Sequence, residues 1–120
     1  MGGHEGHPFG ALVNNEIRRV MLRLIILRKI SEKRTYSYEI VKQLSAYPQR
    51  KAFGNRARFK NTVYNTIAGL HRDGYIAAQR SRSGKVAKVY FTLTPKGRKA
   101  LSEARKAFGT AISSMRRILE

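Results

Sequence analysis

The chain has 120 residues, 42% of them hydrophobic and none of them cysteine, and it sets 25 Lys and Arg against seven Asp and Glu for a formal net charge of +18. That apolar fraction is too high for a disordered polycation and fits one modest folded core, while the missing cysteines exclude disulfides, thiolate zinc sites and a thiol nucleophile. Self-repulsion at +18 opposes compaction, so a polyanionic partner is implied, nucleic acid ahead of an anionic membrane surface.

Residues 1–13 are rich in Gly and His without a period and are expected to form a flexible arm. His4 and His7 have no acidic cluster to complete a metal site, so no metal and no cofactor are expected. The arm lacks an apolar h-region, and the longest apolar run, Val20 to Leu27, is interrupted by Arg23 and is too short to cross a bilayer. A cytoplasmic, nucleoid-associated protein without membrane contact is the expectation.

Asn15-Glu16 predicts a helix start, followed by Ile17, Val20, Met21, Leu24, Ile25, Leu27 and Ile30 at helical spacing. Leu22 and Ile26 widen this face beyond one stripe, as in a helix packed on two sides, against its own domain and against a second subunit. After a polar connection, Thr35-Tyr36 predicts a very short strand. Ser37 is placed as cap of a second helix burying Tyr38, Ile40, Val41 and Leu44, which Pro48 ends. Residues 47–58, YPQRKAFGNRAR, combine Pro, Gly and basic residues without an acid, which predicts a mobile loop.

A third helix is predicted over 61–72, with Val63, Ile67 and Leu70 inward, and Asp73-Gly74 ends it. Residues 75–81 and 86–94 read as strands joined around Ser83-Gly84-Lys85, with Val89, Phe91 and Leu93 facing the core. Thr94-Pro95 opens a last helix, along which Leu101, Ala104, Phe108, Ala111, Met115 and Ile118 keep an a/d register. Such a helix either packs across its own domain or outreaches it and dimerises; its length favours dimerisation. Three helices, a two-stranded wing and a long helix predict a mainly α (α+β) winged helix-turn-helix. Residues 14–94 form its DNA-binding domain and 95–120 its dimerisation helix.

The chemistry concentrates on the third helix and the hairpin. Opposite the inward residues lie Asn61, Thr62, Asn65, Thr66 and Gly69, flanked by Lys60 and Arg72. Asn bonds adenine bidentately, Thr offers a hydroxyl and a methyl, and Gly leaves the backbone bare for close approach, all suited to a major groove. An ordinary exposed helix face would carry more Glu and Lys. Tyr64 sits beside the core stripe and has two readings, a packing residue with its hydroxyl directed at a phosphate or packing alone. Arg80, Arg82, Lys85 and Lys88 put cations on the ribbon for backbone or minor-groove contact, and Arg50, Lys51, Arg56 and Arg58 extend the same face toward flanking phosphates. No spaced constellation of Ser, His and acidic residues suggests catalysis, so the chain is not expected to be an enzyme.

TVYNTIAGLHRDGYI resembles the "tlYpaLkrLeeeGlI" pattern of PadR-like transcriptional regulators, KVYFTLTPKGRKAL resembles their "kvYrLTekGreaL", and Tyr38-Glu39-Ile40 resembles the "gYeI" opening of their second helix. The resemblance covers about residues 17–119. The family often has a Ser/Pro-Gly pair before the recognition helix where this chain has Arg58-Phe59-Lys60-Asn61. Without the large C-terminal helical domain of longer members, the chain is similar to the short subfamily, which dimerises through one final helix. The resemblance implies a homodimeric, sequence-specific regulator of double-stranded DNA, a repressor since no separate activation or effector domain is present. An architectural chromatin protein with little sequence preference is the competing expectation, which the high charge favours. An RNA-binding module is a third, weakened by the dispersal of Tyr47, Phe53, Phe59 and Tyr90.

Overall fold

The computed structural model describes residues 9–83 and 86–120. The order is α1 (Phe9–Glu32), α2 (Ser37–Ser45), a 3-10 helix (Pro48–Phe53), α3 (Arg56–Arg72), β1 (Ile76–Ser83), β2 (Val86–Leu93) and α4 (Pro95–Leu119). The hairpin is antiparallel, with Ile76 opposite Leu93 and Arg80 opposite Val89, and residue 35 adds an isolated bridge to Phe91. This is the expected winged helix, with a long final helix.

One core unites the elements because each contributes an apolar stripe at its own period. Leu22, Ile26, Leu27 and Ile30 come from α1, Ile40, Val41 and Leu44 from α2, and Phe59, Val63, Ile67 and Leu70 from α3. Ile76, Phe91 and Leu93 of the hairpin and Leu101 of α4 close it. Val89, the third member of the predicted inward strand face, is 39% exposed, because the ribbon has by then run past the helices.

Several boundaries differ from expectation. Helix α1 starts at Phe9, so Asn15 is an interior residue and residues 9–13 of the expected arm are helical. Ala11 and Leu12 favour helix enough to carry it through an Asn, whose interior cost is only a few tenths of a kcal/mol. His4 and His7 lie outside the described residues. Ser37 is the first residue of α2 rather than its cap; the cap position belongs to Tyr36, which makes no side-chain cap bond. The Thr35–Phe91 bridge and an edge contact between the Tyr36 and Tyr90 rings, 5.6 Å between centroids, fix Tyr36 there. Tyr38 is 59% exposed instead of buried.

The largest correction concerns residues 47–58. They are ordered into the 3-10 helix, a turn at Gly54 with φ of 101°, and the first turn of α3. Asn55 caps α3, its Oδ1 accepting the Arg58 backbone N–H at 2.8 Å. The cap is easy to overlook, because the first turn that follows carries Arg56 and Arg58 and no acid, against the preference of a helix N-terminus for negative charge.

At the other end of the hairpin, the Thr94 hydroxyl accepts the Gly97 N–H at 3.0 Å and donates to the Gly74 carbonyl at 2.7 Å. Gly97 packs so tightly on Tyr75 that a Cβ there would overlap the Tyr75 carbonyl oxygen. These contacts lock the end of α3, the base of the wing and the start of α4 into one joint. From it α4 runs 25 residues, about 37 Å at 1.5 Å per residue. The molecule is accordingly elongated, 57 × 31 × 23 Å, and its radius of gyration of 16.8 Å exceeds the roughly 13.6 Å of a compact chain of this size.

Candidate nucleic-acid interface

The positions of Phe59, Val63, Ile67 and Leu70 set which way α3 faces. Opposite them, Asn61, Asn65, Ala68 and Arg72 are exposed at i, i+4, i+7 and i+11, one continuous strip with no acidic side chain. Thr62 and Thr66 lie on its shoulder. Both are half-buried and back-bond to the preceding turn, Thr62 Oγ1 donating to the Arg58 carbonyl at 2.9 Å and Thr66 Oγ1 to the Thr62 carbonyl at 2.7 Å. Their methyls and remaining lone pairs are left for an incoming ligand. Gly69 is half-buried beside them, and a Cβ there would meet only the tip of Arg72, at 3.5 Å. Nothing within the fold requires this glycine.

The threonine shoulder borders an open groove of about 480 Å³ whose far wall is α1, where Arg19 and Arg23 stand across from Asn65 and Gly69. These two arginines escape sequence reasoning because α1 reads as an apolar helix; their i, i+4 spacing is the only signal. On the opposite shoulder Tyr64 is half-buried and packs against the core, as both readings of it require, and Lys60 lies 5.9 Å from its ring centroid. Arg72 is exposed and reaches Asp73 Oδ1 at 3.3 Å. Between Ile40 and Ser102, Asp73 is the sole acidic residue of the sequence.

The wing divides its cations between two faces. Strand alternation puts Arg80 and Arg82 on the face that carries Phe91 and Leu93 at its base, and both arginines are exposed. Lys88 stands on the other face, where its Nζ lies 4.4 Å from the Tyr36 ring centroid. Arg34 stacks on Tyr90 beside it at 4.5 Å. Lys88 therefore projects from the opposite face of the ribbon to Arg80 and Arg82, where a cation over an aromatic ring is favoured by the ring quadrupole. Lys85 lies outside the described residues.

Arg50, Lys51 and Arg56 line a cleft of about 590 Å³ together with Lys42, Tyr38 and Tyr47. Arg58 is exposed on the first turn of α3, with its chain lying over Gly54. The segment thus presents cations from ordered backbone.

The tail stripe is split. Leu101 is 8% exposed and belongs to the chain's own core, so it is not free for a partner. Ala104 and Phe108 are half-buried, and Ala111, Met115 and Ile118 are exposed. Among the described residues, no helix is long and apolar enough to cross a membrane.

A helical core that holds one polar helix outward beside a two-stranded ribbon defines a winged-helix DNA-binding protein. Residues 26–103 match the transcriptional regulator PadR-like family. The chain is 32% identical over 93 residues to transcriptional regulator Rv3488 of Mycobacterium tuberculosis, spanning 77% of this chain and 79% of that protein. A PadR family regulator from Eggerthella lenta shares the fold with a TM-score of 0.70 at 22% identity, covering 92% of this chain and 91% of that one. A PadR-like regulator from Bacillus cereus does so with a TM-score of 0.69 at 20% identity over 88% and 97%. The chain belongs to the PadR-like family: it is a DNA-binding transcription regulator and not an enzyme.

Proposed function

We propose that the chain acts as a homodimer that recognises a preferred, roughly palindromic duplex sequence and represses transcription where it sits. The observation that carries this reading is the exposed strip of α3, on which Asn61 and Asn65 occupy positions where a surface helix would ordinarily hold charge. Asn65 and Asn61 read base edges, with Thr62, Thr66 and Gly69 against the groove wall, while Lys60, Arg72, Arg80 and Arg82 hold phosphates. Arg50, Lys51, Arg56 and Arg58 neutralise the flanking backbone. Dimerisation is supported by apolar surface that the single chain leaves open. Met115 is 51%, Ile118 74% and Leu119 76% exposed on α4, and Ile17, Val20 and Met21 are exposed on α1. A two-fold dimer sets its reading helices about 34 Å apart, one turn of DNA. Repression needs nothing beyond occupancy of a promoter.

Selection of bound duplexes from a random library tests the reading. A palindromic motif preferred by about 10³ or more over random DNA is expected, with affinity falling steeply as salt rises. Asn65→Ala should erase preference at one base position, whereas Arg80→Glu with Arg82→Glu should weaken all duplexes alike. A promoter carrying the motif upstream of a reporter should lose expression when the protein is supplied.

The charge of +18 favours a second reading, an architectural protein that coats DNA. Binding of random duplex within a few-fold of the best selected sequence decides for it.

A further inference from the structure

The cations assigned to the α3 face leave much of the positive charge unexplained, and part of the remainder is gathered on the opposite side. Between the C-terminal end of α1, the outer face of β2 and the first turns of α4 lies an open cleft of about 520 Å³. Lys33, Arg34, Arg98 and Arg105 line it, with Thr92 and Ser102 as hydroxyl donors. Among the described residues no acid lines it. Glu32 is engaged by Arg28 at 3.3 Å, and Glu103 points elsewhere, roughly 150° around α4 from Arg98 and Arg105 at 100° per residue.

Two features make this more than a solvated surface. Arg34 is held in place by its stack on Tyr90, so its guanidinium is positioned before any ligand arrives. Arg98 and Arg105 are seven residues apart on one face of α4, about 10 Å of rise, comparable to about three base-pair steps of duplex axis at 3.4 Å each. Thr92 shares its side of β2 with Tyr90 and Lys88, the side opposite Arg80 and Arg82. A duplex gripped by α3, Arg80 and Arg82 therefore leaves this row of cations uncovered.

We propose that the cleft is a second phosphodiester-binding surface, through which the protein holds another segment of duplex DNA and bridges it to the one read by α3. Its openness suits a strand passing through, and its chemistry is charge and hydroxyl without a base-reading amide, so it takes DNA of any sequence. The inference rests on α3 binding DNA and is independent of how selective that binding is.

The test couples one duplex to beads and measures protein-dependent capture of a second, labelled duplex by the full-length chain. Wild type should capture it, and Arg98→Glu with Arg105→Glu should reduce capture at least about tenfold, while affinity for a single free duplex changes less than about threefold. Lys99→Glu with Lys106→Glu makes the same charge change at the same spacing on another face of α4, and should capture nearly as wild type does. Arg98→Gln with Arg105→Gln gives the milder form of the lesion, with helicity and thermal melting read for all variants. Absence of capture by wild type overturns the proposal. So does equal loss from both charge-reversed pairs, which would make net charge the cause. Parallel loss of capture and of single-duplex affinity overturns it too, by placing Arg98 and Arg105 on the same surface as α3. Loss of sequence preference in the library selection, with capture intact, would count against the proposed function alone.

Discussion

Gly69 offers the sharpest separation of folding from DNA recognition, because the fold gives no reason for it. It lies inside α3, where glycine costs about 1 kcal/mol relative to alanine, and an added Cβ meets only the flexible tip of Arg72 at ordinary contact distance. Gly69→Ala should therefore stabilise the chain by about 0.5–1 kcal/mol, raising the melting temperature by about 2–5 °C for a domain of this size. If the helix backbone approaches the groove here, the same methyl holds it off the bases and stretches the neighbouring Asn65 contact. Losing one bidentate Asn–adenine pair is worth about 1–3 kcal/mol, a fall in affinity of roughly five- to 150-fold. Gly109→Ala is the control: it lies within α4, its Cβ meets nothing within 4 Å, and it should gain similar stability without losing affinity. Differential scanning calorimetry and fluorescence anisotropy on a selected duplex read the two effects. A stabilised Gly69→Ala protein that binds as tightly as wild type would refute close approach at this position, and a destabilised one would refute the claim that the fold leaves room there.

Gly97→Ala should cost about 3 kcal/mol or more, or prevent folding, since the Tyr75 carbonyl it would strike is held by the Thr94 N–H at 3.2 Å; chemical denaturation measures this. Asn55→Ala should lower stability by about 1 kcal/mol through loss of the α3 cap, and Thr94→Ala by more, since it removes the α4 cap and the bond to Gly74 together. Met115→Glu with Ile118→Glu should sediment as a monomer, with a melting temperature that no longer depends on protein concentration and weaker binding to a palindromic duplex. Persistence of a dimer would remove α4 from the interface.

The fold was legible because its core is periodic: three stripes at helical spacing, one strand alternation and a Thr-Pro start are enough to order the elements. What the pattern obscures are places where one local signal is outweighed by another. Asn15 has the chemistry of a cap, yet the helix-favouring residues before it carry α1 back to Phe9. Asn55 is a true cap, yet Arg56 and Arg58 behind it oppose the helix dipole and conceal a helix start. Lys88 is a cation on a ribbon, but only the strand register shows that it shares a face with Tyr90 rather than with Arg80. Leu101 keeps the a/d register of the tail, but the register alone does not say where the domain ends, and Leu101 lies inside it.

Helix α3 shows where periodicity and residue chemistry pull apart. At 100° per residue, Thr66 lies about 55° and Thr62 about 95° from the centre of the arc formed by Phe59, Val63, Ile67 and Leu70, whereas Asn61, Asn65 and Arg72 lie far around the helix. Spacing alone thus puts the threonines on a shoulder; their polarity is what recommends them for the outward set. Half-burial and back-bonding fix their hydroxyls to the helix itself, so each presents a methyl held in a definite direction. A methyl so held is suited to contact with a thymine methyl. If α3 enters a groove as proposed, discrimination would divide between the asparagine amides at its crest and apolar contact along one flank, the flank that faces Arg19 and Arg23 of α1.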